Sequence, residues 1–228
     1  MRTASLRRNE GVGAVSRGPL LVTGFGPFPG MPANPSQRLA RRLGRLRRPA
    51  LGDEAIEVRI LPTTWQAAAQ VAGRIAELDP SAILMLGVAG RRKKVCVEVR
   101  AVNASADAPD ARRHHPPSRR VKPGAPALLH SSARVMSLRA ALRPVPAKLS
   151  RDAGRYLCNA LYFEVLHALP TEKRSVPAVF VHIPAAPRHG APAFERRLAG
   201  ALSHLLVALA AQRPSGEATA AADGAARP

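Results

Sequence analysis

Pro19-Leu20-Leu21-Val22-Thr23-Gly24, running on into Phe25-Gly26-Pro27-Phe28-Pro29-Gly30, is an apolar run that ends in glycine and opens into a loop. Such a run, bounded by turn residues, reads as a strand of a parallel sheet covered on both faces. Asn34-Pro35-Ser36 then opens an amphipathic stretch through Arg48, with Ser36 or Asn34 as its N-cap. Ala55 to Leu61 alternates as a second strand. Thr64 to Leu78 is predicted helical, stopped by Asp79-Pro80. Ala82 to Leu86 is a third buried strand, and Val95 to Val102 alternates as a fourth.

Further along, residues 103–126 carry no periodicity and are rich in Arg, Pro, Ala and His. Leu128 to Leu142 is predicted helical, Val145 to Leu149 a short strand and Leu157 to Leu169 a helix. Val176 to Ile183 is the last strand, and Ala193 to Ala211 a final amphipathic helix. Strands alternating with helices predict an α/β fold, a mostly parallel twisted sheet with helices on both faces. The expected organisation is one α/β domain over 19–211, with 104–126 as an irregular Arg/Pro-rich loop. A disordered basic arm (1–18) precedes it, and a low-complexity disordered tail (212–228) follows.

Composition narrows the function classes. The chain of 228 residues has 46% hydrophobic content, enough for one domain with its own core. Two cysteines are too few for a disulfide-rich scaffold or a structural zinc site. No apolar run approaches the roughly 20 residues that span a bilayer, and the basic N-terminus lacks the apolar segment of a secretory signal, so a soluble cytoplasmic protein is expected. The formal net charge is +20, but 30 of the 35 basic residues are Arg, scattered in pairs such as Arg41-Arg42 and Arg119-Arg120. With 4% aromatic content and no recognition motif, a compositionally biased, solvated surface is favoured over a specific nucleic-acid site.

In an open α/β sheet, chemistry gathers at the carboxyl ends of strands and at helix N-termini. Cys158 falls at the start of a predicted helix, where unsatisfied N–H groups stabilise a thiolate and cradle an oxyanion. A small buried hydrophobe is the plainer account of a lone cysteine. His182 lies at the end of the last strand, suited to take a thiol proton and return it to a leaving amine, although a lone His is more often a satisfied core or surface residue. Glu98 interrupts the apolar Val95, Val97 and Val99. It is either an outward-facing strand residue or the carboxylate that orients the imidazole.

Taken together, four segments resemble the pyroglutamyl peptidase I (pyrrolidone-carboxylate peptidase) family of cysteine peptidases, over about Leu20 to Leu209. They are LVTGFGPFPGMPANPS (Leu21 to Ser36), GVAGRRKKVCVEVRAVN (Gly87 to Asn103), GRYLCNALYFEVLH (Gly154 to His167) and VFVHIPAAP (Val179 to Pro187). The order Glu, Cys, His and the 24 residues from Cys158 to His182 fit the family pattern. The resemblance implies Cys158 as nucleophile, His182 as base then acid, and Glu98 as the group orienting the imidazole. It also implies Phe25 and Phe28 as an apolar clamp for a pyrrolidone ring, with Tyr156 and Leu157 in the same pocket. A three-layer α/β/α open sandwich is implied, with no metal or organic cofactor, a small peptide with a blocked N-terminus as substrate, and a homo-oligomer, tetramer or dimer.

The sequence departs from the family at the substrate-binding positions. Val88 stands where members usually carry a substrate-facing Gln. Gly90-Arg91-Arg92 replaces Gly-Gly-Arg, and Glu98-Val99-Arg100 breaks the usual Glu-Arg pair. Residues 104–138 keep little of the family's substrate-binding loop. Two expectations therefore stand side by side: a peptidase that removes N-terminal pyroglutamate, and a catalytically impaired relative that binds an anionic or blocked-peptide ligand.

Overall fold

Leu20–Phe25 forms the first strand, β1, with every residue buried, in a computed structural model that describes residues 18–52, 54–169, 176–187 and 189–213. The expected basic arm up to residue 17 and the tail beyond residue 213 lie outside the described residues. Helix α1 (Pro35–Gly44) follows, then β2 (Ile56–Leu61), α2 (Trp65–Gly73), the single-turn α3 (Ile75–Leu78) and β3 (Ala82–Val88). The short strands β4 (Val95–Glu98), β5 (Arg100–Val102) and β6 (Leu128–His130) lead to α4 (Val135–Ala141) and β7 (Ala147–Ser150). The chain closes with α5 (Leu157–Ala168), β8 (Ala178–Ile183) and α6 (Ala191–Ala210).

Six strands make one sheet in the order β2-β1-β3-β8-β4-β7. Alternate side chains of β1, β3 and β8 feed two separate cores. Leu20, Val22, Leu84 and Val181 pack against α1, α4 and α6; Leu21, Ile83, Met85 and Phe180 pack against α2, α3 and α5. This is the three-layer α/β/α sandwich. It is mostly parallel, but β4 runs antiparallel to β8. The reason is the length of the connection: six residues from β3 to β4 allow a return at the same end of the sheet, whereas a parallel crossover needs a dozen or more.

Three elements differ from expectation, and the structure chooses between the two N-cap candidates of α1. The stretch Val95 to Val102 is two strands in two sheets, hinged at Val99, whose N–H donates to Ser150 O while its carbonyl accepts from Ser131 N. Leu128 to Leu142 begins as β6, paired antiparallel with β5, before α4 starts; three residues are too few for a strand period to show. The helix expected over Thr64 to Leu78 breaks at Arg74. Asn34, rather than Ser36, caps α1: its Oδ1 accepts from Ser36 N at 3.0 Å. Ser36 is buried and its Oγ accepts instead from Phe25 N at 3.0 Å, which ties α1 to the end of β1. Gly24 is needed there, because a Cβ would come 2.5 Å from Ser36 O. Gln212, at the start of the expected tail, packs back, its Oε1 accepting from Arg134 N at 2.6 Å.

Candidate active site

Cys158 sits in the first turn of α5, capped by no side chain, so the leading N–H groups of the helix point outward around the thiol. The rest of α5 is anchored by Asn159. Its Oδ1 accepts from Val102 N at 2.9 Å, and its Nδ2 donates to Val102 O at 2.8 Å and Ala104 O at 3.1 Å. A polar residue inside a helix thereby serves the edge of β5 and fixes the height of the neighbouring thiol. The helix end lies against the backbone of β3: a Cβ on Gly87 would stand 2.9 Å from Cys158 Sγ and 2.7 Å from Phe180 Cζ. Gly87 pairs in register with His182 on β8, and His182 pairs with Cys96 on β4.

These pairings bring the three expected residues to one mouth of the sheet. His182 Nδ1 lies 2.8 Å from Glu98 Oε1, leaving the other ring nitrogen to the sulfur side. Glu98 is fully buried and therefore is not the outward-facing alternative. Arg92 Nη1 donates to the same Oε1 at 2.6 Å, its Nη2 donates to Asp152 O, and Tyr162 Oη donates to Glu98 O at 3.0 Å. Burial pulls the His182 pKa down, but the hydrogen-bonded Cys158 and the charge of Glu98 outweigh it and push the value up to about 9. The imidazole is thus protonated at neutral pH and faces the thiol as a cation.

Beside the sulfur is a cavity of about 110 Å³, walled by Phe25, Phe28, Met31, Asn34, Thr63, Val88, Tyr156, Leu157 and Cys158. All five residues expected to bind substrate line it: Phe25, Phe28, Val88, Tyr156 and Leu157. Sequence reasoning missed Met31, Asn34 and Thr63, and assigned no role to Arg92. The Asn34 and Thr63 side chains are engaged with the loop after β1, Asn34 Nδ2 donating to Gly26 O at 2.9 Å and Thr63 Oγ1 to Pro27 O at 3.0 Å. The apolar character of the cavity is therefore barely relieved.

Tyr156 links this cavity to the Arg-rich loop. Its hydroxyl donates to Pro109 O at 2.7 Å, and its ring meets Trp65 edge-on at 5.2 Å between centroids. Asp110 in that loop accepts from Trp65 N, Arg112 N and His114 N, and these amides outweigh burial to hold its carboxyl below the usual range. The loop is irregular yet internally bonded. A larger cavity of about 460 Å³ under it, touching Trp65, Asp110 and Glu164, contains neither the thiol nor the imidazole. Among the described residues, no three His, Cys, Asp or Glu side chains are grouped to hold a metal ion.

A thiol at a helix N-terminus, an imidazole on the neighbouring strand and a buried carboxylate behind it are the working parts of a cysteine hydrolase on an α/β sheet. The comparisons with known proteins agree. A family model described as pyroglutamyl peptidase matches residues 19–206. A pyrrolidone-carboxylate peptidase of Enterobacter sp. is 31% identical over 205 residues, covering 86% of this chain and 94% of its own. One from Pyrococcus furiosus is 33% identical over 172 residues, covering 74% and 81%. Among solved structures, a mutant pyrrolidone carboxyl peptidase from Pyrococcus furiosus superposes with a TM-score of 0.75 at 27% identity, over 85% of this chain and 98% of that one. Pyroglutamyl peptidase I from Bacillus amyloliquefaciens gives 0.73 at 26% identity, over 85% and 97%. The chain belongs to the pyroglutamyl peptidase family of cysteine peptidases. The alternative of an impaired binding protein is not favoured by these relatives.

Proposed function

We propose that this chain hydrolyses the bond after an N-terminal pyroglutamyl residue, with Cys158 as nucleophile, His182 as proton carrier and Glu98 as the group that orients it. What carries the reading is the juxtaposition of Sγ, imidazole and carboxylate beside an apolar cavity at one end of the sheet. A pyroglutamyl residue is a neutral lactam without an ammonium group, so an apolar slot suits it better than a site built to capture an amine. Phe25, Phe28, Tyr156 and Leu157 supply that slot, and Val88 closes it where relatives usually carry a Gln.

The thiolate of Cys158 is stabilised by the imidazolium of His182 and by the N-terminus of α5. It attacks the lactam-bearing carbonyl carbon, and the oxyanion that forms faces the leading N–H groups of α5, Cys158 N among them. Removing one such donor costs about 3 to 4 kcal/mol in comparable sites. His182 then gives its proton to the departing amine. Now neutral, it draws a proton from a water that attacks the thioester, releasing pyroglutamate and restoring the thiolate–imidazolium pair. Glu98 holds the Nδ1–H so that the opposite nitrogen faces the sulfur throughout.

We place this activity in one domain over residues 19–211, with 104–126 as a loop beside the pocket, acting on small blocked peptides in the cytoplasm as a homo-oligomer, a dimer or tetramer. Among the described residues, no helix is long and apolar enough to cross a membrane. The test is release of the amine from a pyroglutamyl anilide by the wild type and by Cys158→Ser. Turnover lost in the variant supports the reading. Equal background rates in both overturn it.

A further inference from the structure

Across the sheet, the parts of the site follow the strand order. The apolar cavity lies over the ends of β1 and β2, the thiol over β3, the imidazole on β8, and Glu98 on β4, next to β7. Because the leaving amine must take its proton from the imidazole, the peptide beyond the pyroglutamyl ring departs on the β8, β4 and β7 side. Two loops frame that side. One, residues 89–94, bridges β3 to β4 across the end of β8; the other, residues 151–156, leads from β7 to α5. Arg92 clasps them together, donating to Glu98 in the site and to Asp152 O in the second loop.

Arg92 is neutralised by Glu98, but its neighbours are not neutralised. Arg91, Lys93, Lys94, Arg151 and Arg155 are exposed and make no ion pair among the described residues. Against five free cations, the two loops carry one carboxylate, Asp152, whose Oδ1 accepts from Gly154 N at 2.9 Å. A peptide blocked by pyroglutamate lacks the N-terminal ammonium, so its charge is set by the residues that follow. A rim of one sign steers and holds the opposite sign.

Resting on the pyroglutamyl peptidase reading, we propose that the rim formed by Arg91, Lys93, Lys94, Arg151 and Arg155 selects substrates with an acidic residue directly after the pyroglutamyl group. The chemical class is the anionic pyroglutamyl peptide. Basic followers are rejected by the same field.

Three substrates test it: pyroglutamyl-glutamate amide, pyroglutamyl-alanine amide and pyroglutamyl-lysine amide, assayed by the amine released. At low salt, kcat/KM falls from Glu to Ala to Lys, with about 10-fold between the extremes. In about 0.5 M salt, where screening acts within about 5 Å, the spread shrinks to about threefold or less. Combined Arg91→Glu, Lys93→Glu and Lys94→Glu substitutions invert the order; the salt series on the wild type reads the same field without any substitution. Cleavage of all three peptides with no dependence on charge or salt overturns the preference and leaves the peptidase reading standing. Release from none of them above the Cys158→Ser background overturns both.

Discussion

His182 Nδ1 and Glu98 Oε1 are 2.8 Å apart inside the sheet, on neighbouring antiparallel strands, with Arg92 Nη1 on the same oxygen at 2.6 Å. One carboxylate oxygen therefore orients the imidazole and is itself held from the opposite side. The pKa of His182, about 9, places its loss of charge well above neutrality. The sign follows directly: below about pH 9 the imidazolium is available to protonate a leaving amine, and above it the acid is gone. Turnover is expected to have an alkaline limb near pH 9. Glu98→Gln removes one of the interactions that raise the value, so the limb moves to lower pH, and kcat falls on the order of 10²- to 10⁴-fold. A pH profile with circular dichroism checks both; an unmoved limb with full turnover removes Glu98 from the site.

Gly87→Ala tests the seat of the thiol. The added Cβ would approach Cys158 Sγ to 2.9 Å and Phe180 Cζ to 2.7 Å, and Phe180 is fully buried with no room to retreat. Displacing the thiol by about 1 Å is enough to lower turnover about 10²-fold. The expected result is a loss in kcat much larger than the change in KM. Unchanged kcat would show that the helix end can slide without cost.

The same neighbourhood explains what was legible in the sequence and what was not. The apolar runs of β1, β3 and β8 are buried on both faces, so their continuous hydrophobicity announces a parallel sheet without any other information. Glu98 was visible as a charge inside an apolar strand, and Cys158 as a thiol at a helix start. Arg92 was not readable, because its partners lie 6 residues away on β4 and 60 residues away at Asp152, a closeness created only by β4 and β7 lying side by side. Met31, Asn34 and Thr63 were missed for the same reason: loops after two different strands meet at the cavity wall. The break at Val99 left no mark, since a strand that changes sheets keeps its alternation.

Phe25 and Phe28 form one clamp by expectation, but their burial separates them. Phe25 is 5% exposed and belongs to the core under α2 and α5, whereas Phe28 is 37% exposed. Phe28→Ala is expected to raise KM roughly 5- to 10-fold, the loss of about 1 kcal/mol of apolar contact, with little change in stability. Phe25→Ala costs about 3 to 5 kcal/mol of folding free energy besides. Substrate kinetics paired with urea denaturation distinguish the two roles. Equal stability losses in both variants would contradict the assignment.

The two thiols are expected to differ in reactivity by an order of magnitude or more toward iodoacetamide near neutral pH, with Cys158 the faster. Cys96 pairs with His182 only along the backbone ladder, whereas the imidazole is hydrogen-bonded to Cys158. Access separates them further. Cys96 is fully buried, with its Sγ donating weakly to Lys94 O at 3.5 Å, whereas Cys158 opens onto the cavity. Mass spectrometry of the labelled peptides reads the two sites separately, and comparable rates would argue against an activated Cys158.

In the proposed reading, Val88 shapes how the lactam is held. Its side chain lines the cavity, and the polar side chains nearby are spoken for: Asn34 by Gly26 O and Ser36, Thr63 by Pro27 O, Tyr156 by Pro109 O. A lactam entering this slot trades water for apolar walls, so its amide hydrogen bonds fall to the backbone. Gln has nearly the volume of Val and would place one amide against the ring, at the position where the family resemblance implies a substrate-facing Gln. One added hydrogen bond contributes about 1 kcal/mol, so Val88→Gln should raise kcat/KM on a pyroglutamyl anilide about 5- to 10-fold, mostly through KM. The gain should vanish on the anilide of cyclopentanecarboxylic acid, whose all-carbon ring offers the new amide neither donor nor acceptor. A loss of activity on both substrates would mean that the wall around residue 88 has been rebuilt for an apolar contact, and that Val88 is part of how this chain recognises its substrate.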